Sequence, residues 1–146
     1  MSQSYRVPKT FSSLRVTGAF TPSASATALS TVTAATYALS SVDSGKVLVL
    51  QSAAGIALTL PPVARSAGLE FKLLVGAAGT TGNTVTKAAS DAPCIYGVVG
   101  SVNSAGVAKS SVSAGTGGNV SDYLDLVSDG SKWYLRGFTG NPIVLA

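Results

Sequence analysis

The sequence predicts an all-β protein whose main domain is a β-sandwich or jelly-roll-like domain of about eight short strands. Residues 43–75 give the first indication, since they read DSGKVLVLQSAAGIALTLPPVARSAGLEFKLLV and contain three short apolar runs separated by turn residues. Runs of about four to eight residues suit strands and are too short for stable helices. The second indication is the pair Asp129-Gly130 between two alternating stretches, a strong signal for a β-hairpin.

Residues 1–22 are predicted to form an extended N-terminal arm, and 23–146 the sandwich domain. Pro8 and Pro22 argue against a central strand in the arm. The arm has three basic residues and no acid, whereas the rest of the chain has seven basic and six acidic residues. We expect the arm to dock on an acidic protein surface. Its contacts would be made by Tyr5, Arg6, Lys9, Phe11, Leu14, Arg15 and Phe20.

Two alternatives remain for this arm. Nucleic acid is a competing partner, but three charges spread over ten residues make a thin footprint beside the dense Lys/Arg clusters typical of nucleic-acid arms. Direct nucleic-acid binding is therefore not expected. The other alternative is a first strand with a loose tail.

The strands that follow are predicted from short apolar or β-branched runs between turn residues. They cover 28–33, 36–39, 47–50, 56–60, 69–75, 84–88 and 94–99. The alanines within residues 24–38 are also compatible with a short helix, which is an alternative prediction for this segment. In the fifth strand Phe71 and Leu73 share one face with Val75, while Glu70 and Lys72 share the other. Gly97 marks a bulge or a close approach.

Residues 100–119 are predicted to be either an exposed loop around a short strand or an ordered surface packed against a neighbouring copy. After them, strands over 123–128 and 131–138 are predicted to pair across Asp129-Gly130 in a type I′ turn. Trp133 and Leu135 share one face of the second strand, and Tyr134 and Arg136 the other. We interpret Trp133 as a core residue rather than a ligand platform.

Composition narrows the classes of protein further. Charged residues make up 11% of the chain, about half the usual fraction, and this favours a protein that covers much of its surface in a larger assembly. The chain has no histidine and a single cysteine, Cys94, so an internal disulfide and the usual zinc sites are excluded. Cys94 is predicted to be a small apolar core residue. No uninterrupted hydrophobic stretch is long enough to span a bilayer, so no membrane association is expected.

No pattern of catalytic residues is found. Asp122 and Asp125 lie three apart on a predicted strand, so they should point to opposite faces and cannot act as a pair. The glycine-rich residues 115–118 lack a Walker lysine. The other acids are expected to have structural roles beside turns. We therefore predict a protein that is not an enzyme and takes no cofactor or metal.

Three elements in order carry a resemblance to a known family. These are DSGKVLVLQSAAGIALTLP, then AGLEFKLLV, then VSDGSKWYLRG, which together span residues 42–137. The pattern resembles that of small structural proteins of tailed bacteriophages, found as capsid decoration (cement) proteins and as modules of tail fibres. The resemblance implies a β-sandwich or jelly roll, usually a homotrimer, without catalysis.

A lone small domain preceded by an arm favours the capsid over a tail fibre, in which a long repetitive shaft is usual. The expectation is a virion protein on the outer surface of the capsid, whose arm lies on the major capsid protein and whose copies associate through low-charge faces. The alternative is a tail-fibre or receptor/glycan-binding tip with Tyr96, Tyr123 and Tyr134 as stacking platforms. A plain interaction domain is a third possibility.

Overall fold

The computed structural model describes residues 27–78, 82–99, 102–103, 108–114, 119–139 and 143–146. They form two mixed sheets of six and five strands, with a further two-stranded ribbon. The prediction of an all-β sandwich is confirmed. In chain order the strands are β1 (Leu29–Val32), β2 (Thr36–Ala38), β3 (Val47–Leu50), β4 (Ala57–Thr59), β5 (Glu70–Val75), β6 (Thr84–Thr86), β7 (Ile95–Tyr96), β8 (Val98–Val99), β9 (Val102–Asn103), β10 (Ser111–Ala114), β11 (Tyr123–Ser128), β12 (Trp133–Phe138) and β13 (Ile143–Leu145).

Each predicted strand overlaps an observed one, and two short 3-10 turns, Ser41–Asp43 and Val63–Arg65, accompany them. The described residues contain no α-helix, so in the described part of 24–38 the chain forms strands and not the short helix that the alanines left open. The predicted strand over 94–99 is divided at Gly97 into β7 and β8.

The first six strands alternate between the two sheets. β1, β3 and β5 are parallel neighbours in sheet A, which has the order β1-β3-β5-β11-β12-β7. β2, β4 and β6 are parallel neighbours in sheet B, which has the order β13-β10-β6-β4-β2. The chain therefore winds in successive coils, and this topology differs from the antiparallel Greek keys of a jelly roll.

Antiparallel strands complete both sheets. β11 pairs with β5 and with β12 in sheet A, and β10 pairs with β6 and with β13 in sheet B. The three apolar runs within residues 43–75 form β3, β4 and β5. Because β4 lies in sheet B, opposite β3 and β5 in sheet A, these strands do not form a meander within one sheet.

One apolar core fills the space between the sheets. Its centre is the stacked pair of Phe71 and Trp133, whose ring centroids lie 5.4 Å apart. Trp133 is fully buried, which confirms its prediction as a core residue. Cys94 is also buried in this core, and its burial, with a smaller contribution from the charge of Asp91, raises the pKa of the thiol. The indole Nε1 of Trp133 has no hydrogen-bond partner among the described residues.

The β11–β12 hairpin forms where it was predicted, but with a different turn. Ser128 pairs with Trp133, which leaves a connection of four residues. Gly130 has a φ of 88°, whereas Asp129 is not left-handed, so the predicted type I′ turn is wrong. The Asp129 carboxylate instead closes the loop, since its Oδ1 accepts from the N–H groups of Ser131 and Lys132, each at 2.7 Å.

Gly97 lies at a close approach, as predicted. A Cβ atom at this position would be 2.7 Å from the Cβ of Leu135, which is shorter than carbon atoms tolerate. The glycine therefore lets β7 and the residues after it pass close to β12, with which β7 pairs.

The predicted arm, 1–22, lies outside the described residues, and so does the glycine-rich segment 115–118. Of the ambiguous region 100–119, the structure describes 102–103, 108–114 and 119, which include β9 and β10. No helix in the described part of the chain is long and apolar enough to cross a membrane.

The alternation along β5 gives a direct test of the fold. Leu73 is 1% exposed and faces the core, whereas its neighbour Leu74 is half-buried on the outer face. We expect Leu73→Ala to lower the free energy of unfolding by about 2–5 kcal/mol because it leaves a cavity. Leu74→Ala, the matched control, should cost less than about half as much. Urea denaturation measures both, and equal losses would contradict the assigned faces.

Candidate functional site

The DSGK segment before β3 is a structural turn. Asp43 is buried, and its Oδ2 accepts hydrogen bonds from the backbone N–H and the hydroxyl of Ser40, at 3.0 and 2.9 Å. Its Oδ1 accepts from the Tyr37 hydroxyl at 3.0 Å, and this bond raises the pKa of Tyr37. Ser44 Oγ accepts from the N–H of Glu70. The carboxylate thus ties β2 to the turn, which agrees with the structural role expected for acids beside turns.

Two further carboxylates hold backbone N–H groups in loops. Asp91 Oδ2 accepts from the N–H of Val63 at 2.9 Å, and Asp122 Oδ2 accepts from the N–H of Asn119 at 2.7 Å. Asp122 lies just before β11 rather than on it, so the predicted strand position of this residue is wrong. Asp122 and Asp125 have separate partners, and neither is available to act with the other as an acid/base pair.

Two other carboxylates, Asp125 and Glu70, bind one arginine on the outer face of sheet A. A bulge between Asp125 and Leu126 leaves Arg136 as an extra residue on β12. Its Nε and Nη2 donate to Asp125 at 3.1 and 3.0 Å, and Nη2 also donates to Glu70 at 3.1 Å. These bonds raise the pKa of Arg136. The arginine is therefore neutralised in place rather than left free to bind an anion.

A polar cleft lies beside this ion-pair cluster. It has a volume of about 250 Å³, and Lys46 and Lys72 line it together with the cluster. Sequence reasoning missed the cluster, because Glu70 and Arg136 are 66 residues apart and no pattern marks the bulge that brings Arg136 over Asp125.

Two of the three tyrosines considered as stacking platforms come together on the outer face of sheet A. β7 pairs in parallel with β12, which places the rings of Tyr96 and Tyr134 with centroids 6.3 Å apart. Lys132 Nζ lies 4.9 Å from the centroid of Tyr96, and the Tyr134 hydroxyl donates to Asp129 Oδ2 at 2.9 Å. We call these four residues the tyrosine patch.

Tyr123 does not belong to the tyrosine patch. It begins β11 and pairs with Leu74, whereas Tyr134 pairs with Val127 near the other end of that strand. Four residues of extended chain, about 13 Å, separate the two positions on β11. The sequence identified the three tyrosines but could not tell which of them are neighbours.

The outer face of sheet B has a different character. Its outward positions alternate with the buried Leu58, Val85 and Val112. All of them are threonine, serine, alanine or valine, and none is charged. They are Thr36, Ala38, Ala57, Thr59, Thr84, Thr86, Ser111, Ser113 and Val144.

The residues predicted to contact a capsid partner lie outside the described residues. They are Tyr5, Arg6, Lys9, Phe11, Leu14, Arg15 and Phe20. Within the described residues, no group of three or more acidic or cysteine side chains is placed to hold a metal ion.

Comparison with known proteins adds no assignment. No protein-family model matches the chain, and no similar curated protein is found.

Asp129 makes the hairpin sensitive to acid. The N–H of Ser131, the Tyr134 hydroxyl and the N–H of Lys132 lower the pKa of its carboxyl group. A lowered pKa stabilises the fold above the unfolded-state pKa of about 3.9, and this stabilisation is lost as pH falls through the folded-state pKa. We therefore expect Asp129→Asn to lose less stability than the natural chain when pH falls from about 5 to about 2.

Urea midpoints measured across this range would test the expectation, and parallel curves for the two proteins would contradict it. The same variant has a second readout. Because the bond to Asp129 raises the pKa of Tyr134, this pKa should fall in Asp129→Asn, as followed by NMR titration of the ring.

Proposed function

We propose that this chain is a structural protein of a bacteriophage particle, a capsid decoration protein that binds the outside of the major capsid protein lattice and stabilises the head. The protein is not an enzyme, takes no cofactor, and has neither membrane nor nucleic acid as a direct partner. Its copies form a homo-oligomer, a trimer according to the resemblance described above.

The observation that carries this proposal is the charge-free outer face of sheet B. Depletion of charged residues marks the cores of protein–protein interfaces. Among the described residues, the outward positions of these five strands carry no charged side chain, and this supports a protein that acts through contacts with other proteins.

The use of the carboxylates supports a function without catalysis. All six acids of the chain lie in the described part, and each holds a backbone N–H or Arg136. An acid/base pair needs two groups that are free to exchange protons with a substrate. The fold has already committed these side chains to its own turns and ion pairs.

The mechanism is multivalent attachment. Association of copies through low-charge parts of the surface brings several arms of residues 1–22 to neighbouring subunits of the capsid lattice. Linking several weak contacts raises their effective concentration, so the assembled protein holds subunit boundaries together against outward pressure from packaged DNA.

The arm charges provide the test of capsid binding. We expect Arg6→Gln with Lys9→Gln to reduce the amount of protein that co-sediments with capsids at about 0.15 M salt, because both charges face an acidic capsid surface. The matched control, Arg65→Gln with Lys72→Gln, removes two exposed charges from the described domain and should bind normally. Equal binding by both variants, or no binding by the natural chain, would refute the proposal.

A second candidate function is glycan binding at the tip of a tail fibre, and the tyrosine patch favours it. Exposed aromatic rings stack on the apolar faces of sugars, and flanking charged groups bind hydroxyls. Tyr134 is 38% exposed, and Asp129 and Lys132 flank the two rings.

This candidate predicts binding of host-cell glycans that Tyr134→Ala reduces by at least about tenfold, since one stacking platform is lost. Tyr123→Ala is the matched control, because Tyr123 lies outside the patch. A glycan array or a cell-binding assay measures the loss. Equal effects of the two substitutions would remove the candidate.

A further inference from the structure

β1 and β2 belong to the first coil of the described chain. They are edge strands of sheet A and sheet B, and they lie on the same side of the sandwich. β1 pairs only with β3, and β2 pairs only with β4, among the strands that the structure describes. We call the outer edges of these two strands the first-coil edges. Unpaired edge strands present rows of backbone N–H and C=O groups that can pair with another chain.

The hydrogen bonds of the inner side show which groups face outward. Val47 N–H donates to Ala28 C=O, and Gln51 N–H donates to Val32 C=O. Because backbone groups alternate along a strand, those of Leu29 and Thr31 point away from β3.

The same reasoning applies to β2. The bonds from Ala57 N–H to Ala35 C=O and from Leu39 N–H to Thr59 C=O direct Thr36 and Ala38 away from β4. Within the part of the chain that the structure describes, each strand therefore offers two residues of unpaired backbone at its edge.

β1 and β2 run in opposite directions. The register places Val47, the first residue of β3, beside Leu29, the first residue of β1. After β1 ends at Val32, the chain must therefore come back along the sandwich, and β2 carries it. The edge of β1 in one copy is thus suited to antiparallel pairing with the edge of β2 in another.

The usual protection against edge pairing is missing here. Natural edge strands carry charged residues or proline that block association. Residues 16–42 contain no charged residue, and residues 23–60 contain no proline. Leu29 is 71% exposed at the end of β1.

The other edge of sheet A, formed by β7, is protected against pairing with another chain. β7 has two residues, and Ile95 exchanges both backbone hydrogen bonds with Lys109. A lysine therefore covers that edge, as natural edge strands often require. Among the described strands of sheet A, the edge at β1 is therefore less protected than the edge at β7.

The distribution of charge favours a second copy of the chain as the partner at the first-coil edges. Each copy carries a net charge of +4, so two copies repel wherever their basic residues approach. The charge-free first coil is a region where a second copy can approach without this penalty, whereas an acidic or basic partner would find no complementary charge there.

We propose that the first-coil edges are the surface on which a second copy of this chain docks, by antiparallel pairing of β1 with β2 across the interface. The proposal deepens the association of copies proposed above and rests on it. It names backbone pairing, rather than the face of sheet B, as the contact between copies.

The test places lysines at the edges. Thr31→Lys with Ala38→Lys adds two charges to exposed positions of β1 and β2. The matched control, Thr59→Lys with Thr86→Lys, adds two charges to exposed positions of the interior strands β4 and β6 on the face of sheet B. Circular dichroism would confirm that both variants are folded.

Sedimentation velocity of the full chain in the absence of capsids gives the readout. We expect the natural chain and the control to form oligomers and the edge variant to associate at least about tenfold more weakly. Loss of association in the control but not in the edge variant would assign the contact to the face of sheet B and overturn the proposal. A monomeric natural chain would overturn it as well.

Hydrogen exchange on the natural chain adds a readout that needs no variant. The amides of Leu29, Thr31, Thr36 and Ala38 should exchange slowly in the oligomer and rapidly once it is diluted to monomers. Slow exchange in the monomer would mean that residues 1–26 cover the edges instead, and this also overturns the proposal. Capsid binding is measured in a separate experiment. If the edges prove not to be the contact between copies, the proposal that residues 1–22 bind the capsid is unaffected.

Discussion

Side-chain acceptors hold backbone N–H groups at several of the described crossings between the two sheets, and the path of the chain depends on them. A chain that changes layer after almost every strand brings backbone N–H groups into its turns with no strand partner, and such groups must be satisfied. Here single polar side chains satisfy them. The pairs are Asp43 with Ser40, Ser44 with Glu70, Asn83 with Ile56, Asp91 with Val63, and Asp122 with Asn119.

This use of polar groups shapes the surface of the protein. With six acids in the chain and most of them held in turns, few carboxylates are left for the outer faces. On the outer face of sheet A, charged side chains lie in the cluster around Arg136 and in the tyrosine patch. The described strands of sheet B and residues 29–38 of the first coil contain no charged residue. The proposed protein–protein contacts use the charge-free surfaces, because charged residues are depleted in the cores of interfaces. The proposed glycan site uses the polar surface of sheet A.

Predictions about single positions were confirmed at Gly97 and Trp133, whereas the neighbours that a residue has on other strands were not predicted. Gly97 was identified from its own chemistry, and its close approach to Leu135 agrees. The neighbourhood of Tyr96 and Tyr134 depends on the parallel pairing of β7 with β12, which leaves no signal in either segment. The turn at Asp129 was misjudged, because a side-chain bond replaced the backbone conformation expected from Asp-Gly.

The sequence by itself determined the all-β class, the position of nearly every predicted strand and the alternation of buried and exposed residues along β5. These are local properties, because strand length, turn residues and the two-residue period are written in neighbouring positions. Only the tertiary structure decided that successive strands belong to opposite sheets, that β1, β3 and β5 are parallel, and that the first coil lies at an edge. The physical reason is that strand pairing joins backbone segments that are distant in sequence. An apolar strand has no local feature that specifies which strand it pairs with.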